Sequence, residues 1–274
     1  MTLFQTIILG IVQGITEFLP ISSSGHLVIV PFLLGWEIPS SEAFIFDVLV
    51  QVATLVGVIA FFWKDLVNIS WAMIKGIWFR TPFSEAESRL GWYIFLATLP
   101  AGWAGLIFKE NIEKVFGNPR STGFELLVTA ILLVLAERLG KRIRTLNNLN
   151  WKDALFIGAF QAFALLPGVS RSGSTISGAM ARDLERPAAA RFSFLLSVPI
   201  MFGAGLVAMI DLLKMPNLST VLPVFIPGFI VAAIVGYFAI KWLLAFLSRY
   251  SLYYFALYCV ILSLITIIYA FAGN

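Results

Sequence analysis

Charge is scarce in this chain: of 274 residues only 12% are Asp, Glu, Lys or Arg, where a soluble domain carries about 25%. Cysteine and histidine are scarcer still, with one of each. The lone Cys259 excludes an internal disulfide and a cysteine-based metal centre. No His/Cys cluster, Walker loop or Rossmann glycine pattern is present, which excludes the corresponding metal and nucleotide-phosphate cradles. The first residues carry no basic segment and no small-residue cleavage pattern, so no removable signal peptide is expected. What the chain has in abundance is apolar sequence, 59% of residues, with a mean hydropathy of +0.92. Stretches such as 44–63, 93–108, 188–210 and 253–272 approach the roughly 20 residues that cross a bilayer. They predict an all-α polytopic membrane protein. Net charge is +4, but its basic residues cluster in a few loops. That pattern reads as topology and membrane-surface charge, and no nucleic-acid partner is expected.

The two halves of the chain resemble each other at an offset of 148 residues. Gly10 falls on Gly158, Gln13 on Gln161, Ile21 on Val169, Ser22 on Ser170, Ser24 on Ser172 and Gly25 on Gly173. The same offset aligns Phe46 with Phe194 and Gly57 with Gly205. The chain therefore reads as one membrane domain over 1–274, with repeat one at 1–145 and repeat two at 150–274. Each half opens on an interrupted apolar run. In the first, Pro20 and Ser22-Ser23-Ser24-Gly25-His26 break the segment 3–34; in the second, Pro167 to Gly173 break the segment 153–183. Neither arm is long enough to span alone at about 1.5 Å per residue. Such breaks survive at membrane depth only inside protein or beside a water-filled cavity. Both segments are expected to be re-entrant helix-loop-helix hairpins whose polar turns meet in one site.

Three spans follow each hairpin, at about 44–63, 91–108 and 122–138, then about 188–213, 223–247 and 252–272. The stretch from Lys64 to Arg80 is apolar on one side only and suits an interfacial helix. The expected architecture is thus an inverted repeat with six transmembrane helices plus two re-entrant hairpins. Arg138, Lys141, Arg142, Arg144 and Lys152 share one loop, and Lys64, Lys75, Arg80 and Arg89 share another on the same side. The positive-inside rule places that side in the cytoplasm, so the first hairpin opens from the outer face.

Gln13 and Glu17 are four residues apart and share a helix face. An ionisable side chain at membrane depth costs roughly 2.5–3.5 kcal/mol on insertion scales and is a functional candidate by default. The competing reading of Glu17 is a snorkelling or capping carboxylate; that of His26 is a satisfied structural imidazole. Arg171 stands at the place of Ser23 in the repeat. Its fork of donors suits phosphate, and backbone N–H groups at the following helix start would add to an anion site. A topology charge is the alternative for Arg171. Together these residues make a kit for phosphoryl transfer, in which a hydroxyl or imidazole attacks or moves protons while the arginine holds charge. Glu17 and Gln13 could also hold a hard divalent cation. Glu110, Glu113 and Lys114 read as a solvated face, Asp47 as an ambiguous helix cap, and Asp183, Glu185, Arg186 and Arg191 as surface groups pairing with one another.

Gln13-Gly-Ile-Thr-Glu17-Phe-Leu-Pro-Ile-Ser22-Ser23-Ser24-Gly25-His26 resembles the first signature of bacterial undecaprenyl-diphosphate phosphatases, the bacitracin-resistance family. Pro167-Gly168-Val169-Ser170-Arg171-Ser172-Gly173 resembles the second. The resemblance implies hydrolysis of undecaprenyl diphosphate to the monophosphate carrier, recycling it for peptidoglycan synthesis and conferring bacitracin resistance. It implies dependence on Mg2+ or Ca2+, a multi-pass protein of the bacterial cytoplasmic membrane, and a site open to the outer face; it leaves room for a homodimer. The essential positions it carries over are Glu17, His26 and Arg171, with Ser23 as a catalytic serine. Ser22, Ser24, Gly25, Gly168, Ser170, Ser172, Gly173 and Thr175 are then expected to line the phosphate site. One position departs from the pattern: the first member of an acidic pair, often Glu, is Gln13. The nucleophile stays open between Ser23, His26 and a metal-bound water. An anion or lipid-diphosphate carrier is the competing class, because inverted repeats with broken helices are also a transporter device.

Overall fold

The computed structural model describes residues 1–115, 117–166, 168–214 and 218–272. Among them lie eleven α-helices and no named strand: α1 (Leu3–Thr16), α2 (Ser23–Leu33), α3 (Ser40–Phe61), α4 (Trp63–Trp78), α5 (Ala86–Val115), α6 (Pro119–Leu139), α7 (Trp151–Phe163), α8 (Arg171–Ala181), α9 (Arg186–Leu212), α10 (Leu218–Leu247) and α11 (Tyr253–Ala272). Five of them, α3, α5, α9, α10 and α11, are long and apolar enough to cross a membrane. The protein is a polytopic membrane protein. α6, which the apolar pattern at 122–138 makes a sixth span, is not among the five; it carries Arg120, Glu125, Glu137 and Arg138 along its 21 residues. α4 has only 16 residues and packs on α5. It buries Ile69, Ala72 and Gly76 and leaves Trp63, Trp71 and Trp78 exposed, which fits a one-sided helix. The side chains of Glu110, Glu113 and Lys114 lie outside the described residues.

Both apolar runs break where the serines and glycines predict. The breaks are shorter than the motifs. Ser22 caps α2 by accepting from Gly25 N at 3.2 Å, and Ser170 caps α8 by accepting from Gly173 N at 3.0 Å. A serine that satisfies an orphan N–H of the first turn lets the helix restart at once. Ser23 and Arg171 are therefore the first residues of helices rather than turn residues. Asp47 also changes place. α3 starts at Ser40, so Asp47 lies inside it and caps nothing.

Small residues set the packing, as expected where lipid removes any hydrophobic drive between helices. Gly10 and Gly14 on α1 face Gly228, Ala232 and Gly236 on α10, each series spaced by four. A Cβ on Gly10 would sit 2.5 Å from the Gly228 carbonyl oxygen. Gly158, its partner at the 148-residue offset, meets the Ala97 carbonyl oxygen of α5 at 2.6 Å by the same measure. Each hairpin thus lies backbone to backbone against a long helix from the other half of the chain. Phe18, fully buried beside Glu17, packs edge-to-face on Phe194 of α9 with centroids 5.5 Å apart. That contact anchors the first turn.

A polar cluster ties the far ends of these elements together. Glu137 at the end of α6 accepts from Arg142, from two nitrogens of Arg186 and from the backbone N–H of Leu252, all at 2.6–2.7 Å. Asp153, on the first turn of α7, accepts from Arg144 and Arg182 at 2.6 and 2.7 Å. Arg191 bonds Asp65 of α4 at 2.7 Å, and Asp183 accepts from the Lys141 N–H at 2.8 Å. Asp183, Arg186 and Arg191 are bonded, then, but to the 140–150 loop, α6 and α4 instead of to one another, and Glu185 bonds the Arg144 carbonyl through its backbone N–H. Glu137 on α6 is buried, and a buried carboxylate needs a guanidinium partner.

Candidate active site where two broken helices meet

The two turns touch. Arg171, first residue of α8, donates from Nη2 to Oε1 of Glu17 at 2.7 Å. Ser172 donates from Oγ to the carbonyl of Leu19 at 3.0 Å. Glu17 sits just past the end of α1, 8% exposed, and takes two further donors on Oε2: Gln13 Nε2 at 2.9 Å and Ser23 Oγ at 2.6 Å. An ionised carboxylate only accepts, so the Gln13 amide must present its NH2 group there. Its Oε1 is buried and unbonded among the described residues. Nη1 of Arg171 is likewise buried without a partner, while its Nη2 also contacts Met201 Sδ at 3.5 Å.

Three of the four expected catalytic residues thus form one connected set, Ser23–Glu17–Arg171. His26 is held apart from it. Its Nδ1 lies 2.7 Å from the Ser22 carbonyl oxygen and its Nε2 lies 2.7 Å from the hydroxyl of Tyr258 on α11. The carbonyl can only accept, so Nδ1 carries the proton of the neutral ring and Nε2 accepts from Tyr258. Ser22 reaches this geometry at φ 70°, a left-handed conformation for a residue with a side chain. Such a conformation costs about 1–3 kcal/mol, and it turns the carbonyl toward the imidazole. Tyr258 is the residue that reading the sequence missed. It sits in an apolar span 232 positions from His26, and nothing in its neighbours marks it.

The residues expected to line the phosphate site divide into two groups. Ser23 and Ser24 are partly exposed at the start of α2. Among the rest, Ser22 and Ser170 are buried caps, and Ser172 bonds Ser170 and Leu19. Thr175 is fully buried and bonds Ser193 of α9 at 2.6 Å. Gly25 and Gly173 allow close packing on Thr122 and Thr129 of α6. Gly168, at φ 86°, shapes the turn, where any Cβ would collide with the Glu125 carboxylate. These groups build the turns. The N–H groups of the first helical residues, Ser23 and Ser24 on α2 and Arg171 and Ser172 on α8, have no acceptor within their helices. Two helix starts thereby adjoin the one arginine, an arrangement suited to anions.

The donor set that could hold a metal is all oxygen: the unbonded Oε1 of Gln13 and the carboxylate of Glu17. Among the described residues no cluster of three His, Cys, Asp or Glu exists. Two oxygens fit a hard cation that keeps its waters and is completed by substrate phosphate, and they do not fit a self-sufficient protein cage.

Comparison with known proteins places the chain. The family model described as bacitracin resistance protein BacA matches residues 6–265. The undecaprenyl-diphosphatase of Thermomicrobium roseum is 43% identical, over 98% of this chain and 98% of that protein. The undecaprenyl-diphosphatase of Chlorobaculum tepidum is 42% identical, over 100% and 99%. The protein of that name from Methanosphaera stadtmanae is 42% identical, over 97% of both.

Proposed function

The chain belongs to the bacitracin resistance protein BacA family, and from that membership we propose that it hydrolyses undecaprenyl diphosphate to undecaprenyl phosphate and inorganic phosphate. The observation that carries the reading is the Ser23–Glu17–Arg171 set: a hydroxyl hydrogen-bonded to a carboxylate, beside a guanidinium with a buried, unbonded donor. An unmade bond on a buried charged group is costly. A phosphate oxygen at Nη1 removes that cost.

In the proposed reaction the terminal phosphate takes the Arg171 fork in competition with Glu17. Glu17 then receives the Ser23 proton, and Ser23 Oγ bonds to the terminal phosphorus as its bond to the bridging oxygen breaks. Undecaprenyl phosphate leaves with the electron pair of that bond. Water then attacks the phosphoserine phosphorus and gives a proton to a basic group as the P–Oγ bond breaks, Ser23 Oγ takes back the proton held by Glu17, and inorganic phosphate is released. His26, with Nδ1 fixed on Ser22, offers Nε2 as the group that moves protons in these steps. Arg171 and the free N–H groups of α2 and α8 hold the charge that develops on the equatorial oxygens. A divalent cation, Mg2+ or Ca2+, held by Gln13 and Glu17, would supply further charge neutralisation on the diphosphate.

The protein would act in the bacterial cytoplasmic membrane with this site open to the outer face. There it returns the lipid carrier to peptidoglycan synthesis and confers bacitracin resistance. Purified protein in detergent, given farnesyl or undecaprenyl diphosphate with Mg2+ or Ca2+, should release inorganic phosphate, and Ser23→Ala should abolish the release. No release, with His26→Ala still fully functional in cells, removes the enzyme reading in favour of a carrier.

A further inference from the structure

Among the described residues Tyr258 is the one polar group in contact with Nε2 of the only histidine, and no step of the proposed reaction uses it. We propose that Tyr258 is a positioning residue for His26, holding the imidazole ring in one orientation in both of its protonation states. The inference rests on the phosphatase reading for its catalytic part and on the geometry alone for the rest.

Two hydrogen bonds at opposite corners define the plane of an imidazole; one leaves it free to swing. The Ser22 carbonyl supplies the first bond and fixes the tautomer. The Tyr258 hydroxyl supplies the second at 2.7 Å, with the two ring planes within 5° of each other. A phenol oxygen serves either protonation state: it donates to neutral Nε2, and it accepts once Nε2 carries a proton. A ring held this way keeps its orientation as protons move.

Tyr258 is itself held. On the next residue, Cys259 Sγ lies 4.0 Å from the Pro20 carbonyl oxygen of the first turn. One turn further along α11, Ser263 donates to the Gly123 carbonyl of α6 at 2.7 Å. α11 is thereby pinned to both the first hairpin and α6. The Tyr258 side chain is partly exposed while His26 is buried.

The test uses Tyr258→Phe, which keeps the ring and its packing. With one histidine in the chain, 15N-histidine labelling reports on His26 alone. The Nε2 resonance of Tyr258→Phe is expected to move downfield as its hydrogen bond is lost, while Nδ1 stays protonated. The kcat for farnesyl diphosphate is expected to fall about tenfold, the worth of one hydrogen bond, with KM within twofold. An unmoved Nε2 resonance overturns the geometry. A moved resonance with unchanged kcat overturns the catalytic role. Tyr258→Leu should reproduce both effects; if only this larger deletion lowers kcat, the residue acts through packing and the proposal fails. If the wild-type chain releases no phosphate, the phosphatase reading and the catalytic part fall together, and the resonance still decides whether Tyr258 holds the ring.

Discussion

Replacing Glu17 by Gln separates the two tasks proposed for this carboxylate. At rest it accepts three donors: Gln13 Nε2 at 2.9 Å, Ser23 Oγ at 2.6 Å and Arg171 Nη2 at 2.7 Å. An amide of the same shape has one acceptor atom and one NH2 group. With its oxygen toward Gln13 and Ser23, the NH2 confronts Arg171, whose Nη2 then keeps only its contact with Met201 Sδ. The amide cannot take the Ser23 proton, and loss of a positioned base costs about 10^2–10^4 in rate. The freed guanidinium, by contrast, no longer has to be won from a carboxylate. A charge-assisted bond is worth about 1.5–3 kcal/mol, and Arg171 is 17% exposed, so the low end applies and affinity for an anion should rise about tenfold. The expected result for Glu17→Gln is kcat down at least a hundredfold while a non-hydrolysable diphosphonate binds more tightly. Steady-state phosphate release and inhibition by the diphosphonate measure the two quantities. A kcat within tenfold of wild type refutes Glu17 as the base, and weaker diphosphonate binding refutes its competition with substrate for Arg171.

Gln13→Glu places a second carboxylate beside Glu17, so the Mg2+ or Ca2+ concentration giving half-maximal activity should fall about tenfold, as expected when a ligand gains charge; an unchanged requirement removes Gln13 from the cation site. Arg171→Lys keeps the charge and loses the fork, and kcat/KM for farnesyl diphosphate should drop about a hundredfold, whereas a drop under threefold would mean that charge alone suffices. Glu137→Ala strips Arg186 and the Leu252 N–H of their acceptor and leaves Arg142 only the backbone carbonyl of residue 137. Because both arginines are partly exposed, the loss should be about 3 kcal/mol, at the low end for a broken buried pair, read by thermal unfolding in detergent with kcat of the folded protein unchanged. Gly10→Ala drives a Cβ to 2.5 Å from the Gly228 carbonyl and should destabilise by about 1–3 kcal/mol, while Gly102→Ala, with nothing within 4 Å, should not; equal effects would remove close backbone packing as the cause.

Reading the sequence located the two breaks because proline, glycine and serine interrupt apolar runs at one repeated offset, and it joined Glu17, Ser23 and Arg171 because the repeat puts both turns in one place. It misjudged the helix restarts, which depend on whether Ser22 and Ser170 turn their hydroxyls back on the next turn. The same local geometry decides the fate of the other hydroxyls. Thr175 falls on the Ser193 side of α8 and Ser172 reaches Leu19, and composition cannot separate a lining serine from a capping one. The His26–Tyr258 contact was out of reach for a different reason: it joins the first hairpin to the last helix, and apolar periodicity carries no information on which faces of distant helices meet. α6 sits between these cases. Its apolar centre is plain, yet its charges lie where it meets the second turn and the Glu137 cluster, so length and hydropathy understate it.

The chemistry is asymmetric although the scaffold positions correspond. At the 148-residue offset Gln13 answers to Gln161, Glu17 to Leu165, Ser23 to Arg171 and His26 to Ser174. Among the described residues Gln161 donates only to the Ala97 carbonyl at 3.4 Å, and the buried Ser174 hydroxyl has no partner. A second hairpin that kept the glutamate would bring two carboxylates to one buried junction, and a first hairpin that gained the arginine would bring two guanidinium groups. Either arrangement adds like-charge repulsion to the cost of burial. One glutamate on one arm and one arginine on the other neutralise each other at 2.7 Å. The pair leaves one guanidinium nitrogen and one hydroxyl to be engaged by a phosphate. The divergence of the two hairpins therefore lets the junction bury its charges as a pair and, in the proposed reaction, still offer a donor and a hydroxyl to phosphate.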